Sequence, residues 1–447
     1  MDQHLPSAFI STMRQQLGLE WEAFLKALQN SSPVSIHYNL AKDPVPFFEG
    51  DPVPWNPNGL YLRERPSFTL DPNFQAGRYY VQEAGSMFLA FVLEQLKEKK
   101  ELQFALDLCA APGGKSTLLL NHLPENALLV ANEVIRSRYQ ILRENLAKWG
   151  RGNVISTQAD SEAFLPLAGK FDLVLVDAPC SGEGLFRKTP DAVSEWSPQN
   201  VELCAARQRR ILTNAHQLLN EGGFLIYSTC TYNALENDQN VAWLKAEGDL
   251  ETVDLSIPDN WGVLATEHGY QFYPHRTQTE GFFIAILQKK HADRANSKST
   301  LRYFSKSDKK TTNQLEAFLQ NQEAFQVLQN PKGALFMLPQ TALPMLELLS
   351  QALSRITPGV PLGQIKGKDL IPAHEFSLLA KQMDHFPAYV VDKAEALQFL
   401  RKVPMESRAD TAKGWHRVSY GGFGLGWIKV LPQRINNYFP NQLRIRK

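Results

Sequence analysis

Cysteine is scarce in this chain, with four residues in 447: Cys109, Cys180, Cys204 and Cys230. Four are too few for a disulfide framework, and none forms a CxxC pair, so a metal site is not expected. No uncharged apolar run approaches the ~18 residues that a membrane span needs. The opening Met1-Asp2-Gln3-His4 has no basic segment leading into an apolar one, which argues against secretion. Neither charge dominates, with 47 basic and 46 acidic residues. A hydrophobic share of 43% with 21% charged residues excludes wholesale disorder. These absences point to a soluble, cytoplasmic protein with reduced thiols. At roughly 100–200 residues per domain, the length predicts about two to four domains.

The even charge total conceals a split. Residues 289–447 hold 24 basic and 12 acidic side chains, whereas 1–288 hold 23 and 34. A basic module beside an acidic one fits a polyanion held by one part and worked on by another, although solvated Lys-rich surfaces have the same composition. Residues 1–40 carry apolar side chains at helical spacing, and the Pro-rich stretch 43–57 interrupts helix. From 101 to 288 apolar strands alternate with helical segments, the pattern of a largely parallel sheet with helices on both faces. The stretch 289–313 reads as a basic linker or mobile loop. Helical patterns near 314–328 and 341–354, then a Gly-rich β-like end at 415–430, form a last module over 314–447.

The segment Phe104 to Thr117 runs from an apolar strand through small residues into a helix starting near Lys115. Cys109, Ala110, Ala111, Pro112, Gly113, Gly114 and Lys115 form a turn that a ligand can approach closely, at a helix N-terminus with free N–H groups. A P-loop would need glycine at 109, where Cys109 stands, and no GxGxxG occurs, so a nucleoside-type ligand without a tight phosphate cradle is expected. Glu133 ends the next strand, where an acid can accept from both ribose hydroxyls. Asp160 follows the third, where a carboxylate can accept from an adenine amino group. Each alone would be a surface or capping carboxylate more often than a ligand; their placement at successive strand ends favours the site. Lys115 fits either a solvent-facing helix start or the active-site wall.

Two further strands end in cysteines. Phe171 to Val176 leads to Asp177 and a turn with Cys180, and Phe224 to Thr229 leads to Cys230. Adjacent parallel strands would bring both thiols to one crevice. Cys204, inside a helical run, reads as a small buried hydrophobe.

Asp107-Leu-Cys-Ala-Ala-Pro-Gly-Gly-Lys115, Asp177-Ala-Pro-Cys-Ser-Gly182 and Tyr227-Ser-Thr-Cys-Thr231 resemble the hallmark motifs of the RNA cytosine-C5 methyltransferases of the NOL/NOP/Sun type. Ser419 to Lys429 and Asn437-Tyr-Phe-Pro440 resemble the PUA-like tail of the bacterial small-subunit rRNA members. Two departures stand out: His37 where the family usually shows Arg, and Gly85 where a serine is usual. The resemblance implies a Rossmann-like fold dependent on S-adenosylmethionine (SAM) over 101–288. It also implies an N-terminal α+β RNA-binding segment over 1–100 and a PUA-like α+β module over 314–447. It further implies that Cys230 is the nucleophile, that Cys180 assists elimination, and that Asp177 hydrogen-bonds the cytosine edge and borders the cofactor.

Cytosine C5 is too poor a nucleophile to take a methyl group unaided, and thiolate addition at C6 makes it an enamine carbon. The function implied is SAM-dependent C5 methylation of cytosine in structured RNA, with 16S rRNA, free or in a ribosomal subunit, as the leading substrate. A monomer without membrane or metal partners is expected. A tRNA substrate and a non-catalytic RNA-binding assembly factor are the alternatives. Arg187 and Lys188 could hold phosphate, and Tyr420, Phe423, Trp427 and Tyr438 could stack on bases, although solvated or core roles are at least as common.

Overall fold

A computed structural model describes the chain except residues 1–4, 43–46, 292–298, 317–323, 368, 381–385, 407, 409 and 447. The start of the Pro-rich stretch, part of the 289–313 linker and part of the 314–328 helical pattern therefore lie outside the described residues. No described helix is long and apolar enough to cross a membrane.

Two short helices open the chain, Ser7–Leu17 and Trp21–Leu28, separated at Gly18. Their buried Phe9, Met13, Trp21 and Phe24 pack against Phe186, Trp196, Tyr232 and Tyr273 of the central domain, which also bears the two cysteine turns. A four-stranded sheet follows, formed by Gly50–Val53, Asn56–Leu62, Val34–Tyr38 and Tyr79–Val81 in that spatial order.

The central α/β domain is built on β1 (Phe104–Asp107), β2 (Leu128–Asn132), β3 (Val154–Thr157), β4 (Phe171–Asp177) and β5 (Leu219–Thr229). They lie parallel in the order β3-β2-β1-β4-β5. β6 (Phe282–Lys289) pairs antiparallel with β5. Every residue of β2 and β3 is buried, as expected of parallel strands covered on both faces. Helices α1 (Gly114–His122), α2 (Arg136–Trp149) and α3 (Pro198–Leu218) cover the sheet together with the preceding helix Phe88–Lys97. Near-continuous apolar strands alternating with amphipathic helices produce this arrangement, because each strand's two faces must both be covered.

The chain after 288 is more entangled with this domain than its sequence suggests. Ser305–Lys306 pairs with Phe325–Gln329, so the end of the linker stretch is a sheet edge, and Lys309–Glu316 is helical. Phe325–Gln329 is a strand paired with Ala334–Pro339, whereas the helical pattern was expected to continue to 328. Val327 and Leu328 are both buried there, one on each face, and this cross-strand packing overrides the local spacing. Helix α4 (Leu343–Ala352) places Leu346 and Leu349 in one core with Ile155, Phe164 and Leu167. β7 (Ile356–Pro358) then pairs antiparallel with β3 and closes that side of the central sheet. A separate four-stranded sheet, Ala388–Val390, Gly414–Tyr420, Phe423–Leu431 and Arg434–Asn437, forms the C-terminal end.

Candidate active site

The turn after β1 is pinned from α2. Arg138 donates to the Ala111 carbonyl at 2.7 Å and Asn145 to the Pro112 carbonyl at 2.8 Å. Gly113 caps α1 with φ +115, in the left-handed region, and a Cβ there would lie 3.3 Å from Leu142. That position therefore needs glycine. Asn132, just before Glu133, ties three strand ends together. Its amide donates to the carbonyls of Leu108 and Ala159 at 3.1 and 3.0 Å, and its oxygen accepts from Thr157 at 2.9 Å. Sequence reasoning overlooked Asn132, since an asparagine at a strand end has no periodic signal.

Glu133 is buried, accepts the Ile135 N–H at 2.8 Å and lies 3.6 Å from Arg138. Asp160 is more open. It accepts from Arg210 at 2.8 and 3.1 Å and caps the following turn through the Glu162 N–H. Lys115 turns inward and pairs with Asp177 at 2.8 Å, its ammonium 5.1 Å from the Phe282 ring centre. Asp177 also accepts from the Ser228 hydroxyl at 2.8 Å.

Beneath this crest Asp107 is fully buried. Ser116 donates to one carboxyl oxygen at 2.6 Å, and the other oxygen has no protein partner. Burial, then the negative charge of Asp177 and Glu133, pushes its pKa up to about 7. Burial likewise pushes the Cys109 thiol up. The backbone donors of the 109–115 turn, the inward carboxylates and this unpartnered oxygen are the groups that a nucleoside-bearing sulfonium requires, so the residues fit SAM.

Cys180 and Cys230 come together, with their sulfurs 3.0 Å apart. The Cys230 N–H donates to the Cys180 sulfur at 3.3 Å. The hydrogen bond with Cys230, then burial, raises the Cys180 pKa well above the ordinary thiol range. Gly184 donates its N–H to the Cys230 carbonyl at 2.9 Å, and a Cβ on Gly184 would lie 2.5 Å from the Gly281 carbonyl oxygen. The cysteine turns thus touch through backbone. Cys204 is buried in α3, as its spacing suggested.

Other candidates fall elsewhere. Arg187 is buried in an ion pair with Glu280 at 2.9 Å, and Lys188 is exposed beside it. Trp427 is core, its indole donating to the Ala373 carbonyl at 2.7 Å, whereas Tyr438 is exposed. His37 is buried against Tyr80 and Trp149 with Nε2 3.2 Å from the Thr117 hydroxyl, and burial pushes its pKa down to about 3, so it is neutral. Gly85 donates to Glu83 at 2.8 Å, and a Cβ there would crowd Phe282 at 3.2 Å. Among the described residues no cluster of His, Cys, Asp or Glu could hold a metal ion.

Residues 5–84, 94–288 and 386–445 match, respectively, the N-terminal domain of 16S rRNA methyltransferase RsmF, the family of 16S rRNA methyltransferase RsmB/F, and the RsmF PUA domain. The ribosomal RNA small subunit methyltransferase F of Shewanella loihica is 32% identical over 414 residues, 88% of this chain and 83% of that protein. The chain belongs to the RsmF family of the NOL/NOP/Sun class. The Cronobacter sakazakii relative of the same name is 35% identical over 64% of this chain, and the match spans 63% of that protein's length. A solved methyltransferase homologue from Pyrococcus horikoshii superposes with TM-score 0.52 at 28% identity, covering 61% of this chain and 91% of that one. The catalytic domain has the Rossmann-like fold of SAM-dependent methyltransferases, with accessory α+β parts at both ends.

Proposed function

We propose that the protein methylates C5 of a cytosine in 16S rRNA, as a cytoplasmic monomer that uses SAM. The observation that carries this reading is the juxtaposition of two thiols, 3.0 Å apart, with a crest of carboxylates and backbone donors along adjacent strand ends. The chemistry belongs to 101–288 and RNA capture to 1–100 and 314–447, with 289–313 joining them.

The 109–115 turn, Glu133, Asp160 and Asp177 would hold the cofactor, Glu133 at the ribose hydroxyls and Asp160 at the adenine amino group. SAM, when bound, supplies the methyl group that C5 accepts. Cys230 as thiolate forms the S–C6 bond, and the C5–C6 π electrons become the enamine pair that makes C5 nucleophilic. Asp177, held by Lys115 and Ser228, hydrogen-bonds the cytosine edge, and the adjacent ammonium offsets negative charge developing on the ring. After transfer a base removes the C5 proton, and Cys180, its sulfur 3.0 Å from that of Cys230, assists the elimination. The C5–H electrons re-form the C5–C6 double bond, and the S–C6 bond breaks to return the Cys230 thiolate.

The test is methyl transfer from labelled SAM to 30S subunits, naked 16S rRNA and tRNA, with bisulfite sequencing of the products. Label at one 16S cytosine is expected. Label confined to tRNA would replace the substrate, and SAM binding without transfer to any RNA would favour the assembly factor.

A further inference from the structure

Two glutamates that no motif reading singled out lie under the thiols. Glu183 follows the Cys180 turn and Glu236 follows the Cys230 turn, and both are almost fully buried. Each grips the other's loop. Glu236 accepts the Ser181 N–H at 2.9 Å and the Ser181 hydroxyl, and thereby holds the residue after Cys180. Glu183 accepts the Thr231 hydroxyl at 2.8 Å and the Tyr232 N–H at 3.0 Å, and thereby holds the two residues after Cys230. The Ser181 and Thr231 hydroxyl oxygens lie 3.0 Å apart between the two halves. Behind them Gln208 of α3 donates to Glu236 at 2.8 Å and to the Pro179 carbonyl at 3.0 Å, and the Trp196 indole donates to Glu183 at 3.0 Å.

We propose that Glu183 and Glu236 are positioning residues that form a crossed clasp, Glu236 fixing the Cys180 turn and Glu183 fixing the Cys230 turn, and so set the spacing of the two sulfurs. The physical case is cost and reciprocity. A buried carboxylate is retained only where several donors satisfy it, and here nearly all of those donors belong to, or support, the segment bearing the opposite thiol. Burial pushes both carboxyls up from their ordinary range, so the donors are needed to hold them. A shift of one turn by about 1 Å costs on the order of 10²-fold in a reaction that needs both sulfurs in register.

The proposal rests on the methyltransferase reading for its kinetic half only. Its other half needs neither RNA nor SAM. Phenylarsine oxide, a trivalent arsenical, binds tightly where two thiols can reach one arsenic atom. Wild-type protein should capture it through Cys180 and Cys230, Cys180→Ser should not, and Glu236→Ala and Glu183→Ala should capture it at least about tenfold more weakly, the factor expected from mis-set geometry. SAM affinity and circular dichroism report whether each variant is folded; should Glu236→Ala fail, Ser181→Ala replaces it with the same expectation, and should Glu183→Ala fail, Thr231→Ala does. With RNA and SAM, the two variants should part. Glu236→Ala loosens the Cys180 turn and should accumulate the covalent protein–RNA adduct. Glu183→Ala loosens the Cys230 turn and should form little adduct. Glu236→Gln, whose amide oxygen can still accept the Ser181 N–H, should recover turnover. Arsenical capture equal to wild type in both Ala variants, or an identical slowing without opposite effects on the adduct, overturns the clasp. Wild-type protein that transfers no methyl group overturns the enzymatic reading instead and leaves arsenical capture to judge the clasp.

Discussion

At the residue scale, the two thiols carry the sharpest expectation. Cys230→Ser should lose turnover while keeping its fold and SAM affinity, because a serine hydroxyl is far less ionised near neutral pH. Cys180→Ser should still add and methylate but release slowly, leaving an adduct that survives denaturing electrophoresis; the reverse pattern would exchange the two roles. Glu133→Ala should weaken SAM by about 1.5–3 kcal/mol on calorimetry, the range for losing a hydrogen-bonded charged partner. Asp160→Ala should cost less, since Asp160 is partly open and already shared with Arg210. Asp107 offers a pH test. Its carboxyl lies at about 7 in the fold against 3.8 ordinarily, so between those values the folded chain keeps a proton that the unfolded chain has lost. Stability therefore falls as pH rises through that window, by about 1.4 kcal/mol per unit, and levels off above it. Asp107→Asn should gain in thermal midpoint relative to wild type between pH 5 and pH 8; a constant difference would mean that Asp107 does not titrate there. The cysteines, the glycine turn and the strand-end acids were legible because each follows directly on an apolar strand. Glu183 and Glu236 were not, because their meaning lies in contacts about 50 residues away along the chain.

At the scale of elements, α4 and β7 make a separate prediction. Leu349 lies almost two hundred residues beyond β3 in sequence, yet it is fully buried in the same core as Ile155. Leu349→Ala should cost about 2–5 kcal/mol and lower the melting temperature of the SAM-stabilised unit, whereas an independent C-terminal module would leave that transition unmoved. The alternating strands and helices of 101–288 could be read from sequence because each is long enough to show its period. β7 could not. It has three residues, ends in Pro358 and makes its ladder with a strand far upstream. Phe325–Gln329 misled for the complementary reason, since apolar residues near a helical pattern continue its spacing until a partner strand claims them.

For the whole molecule, charge is divided between an acidic front and a basic end. Residues 386–447 hold eleven basic and four acidic side chains, and the last sheet packs against Ala76 and, through Trp427, against Val327 and Phe376 rather than in the core of Ile155 and Leu349. Removing this end, rather than everything after 314, should spare α4 and β7 and so spare SAM binding. RNA affinity should fall, together with the slope of affinity against salt, because fewer phosphates are neutralised. Filter binding at several salt concentrations reads this directly, and an unchanged slope would move the electrostatic footprint to the front of the molecule. The closure of the catalytic sheet by β7 also bears on how the chain is made. During synthesis the methyltransferase segment is complete at residue 288, but the outer side of β3 stays open until Ile356–Pro358 has left the ribosome. For that interval the nascent chain presents an unpaired strand edge and an uncovered apolar face, the two features that invite wrong partners. A message truncated anywhere between those points would therefore yield a chain with every catalytic motif and an unfinished core.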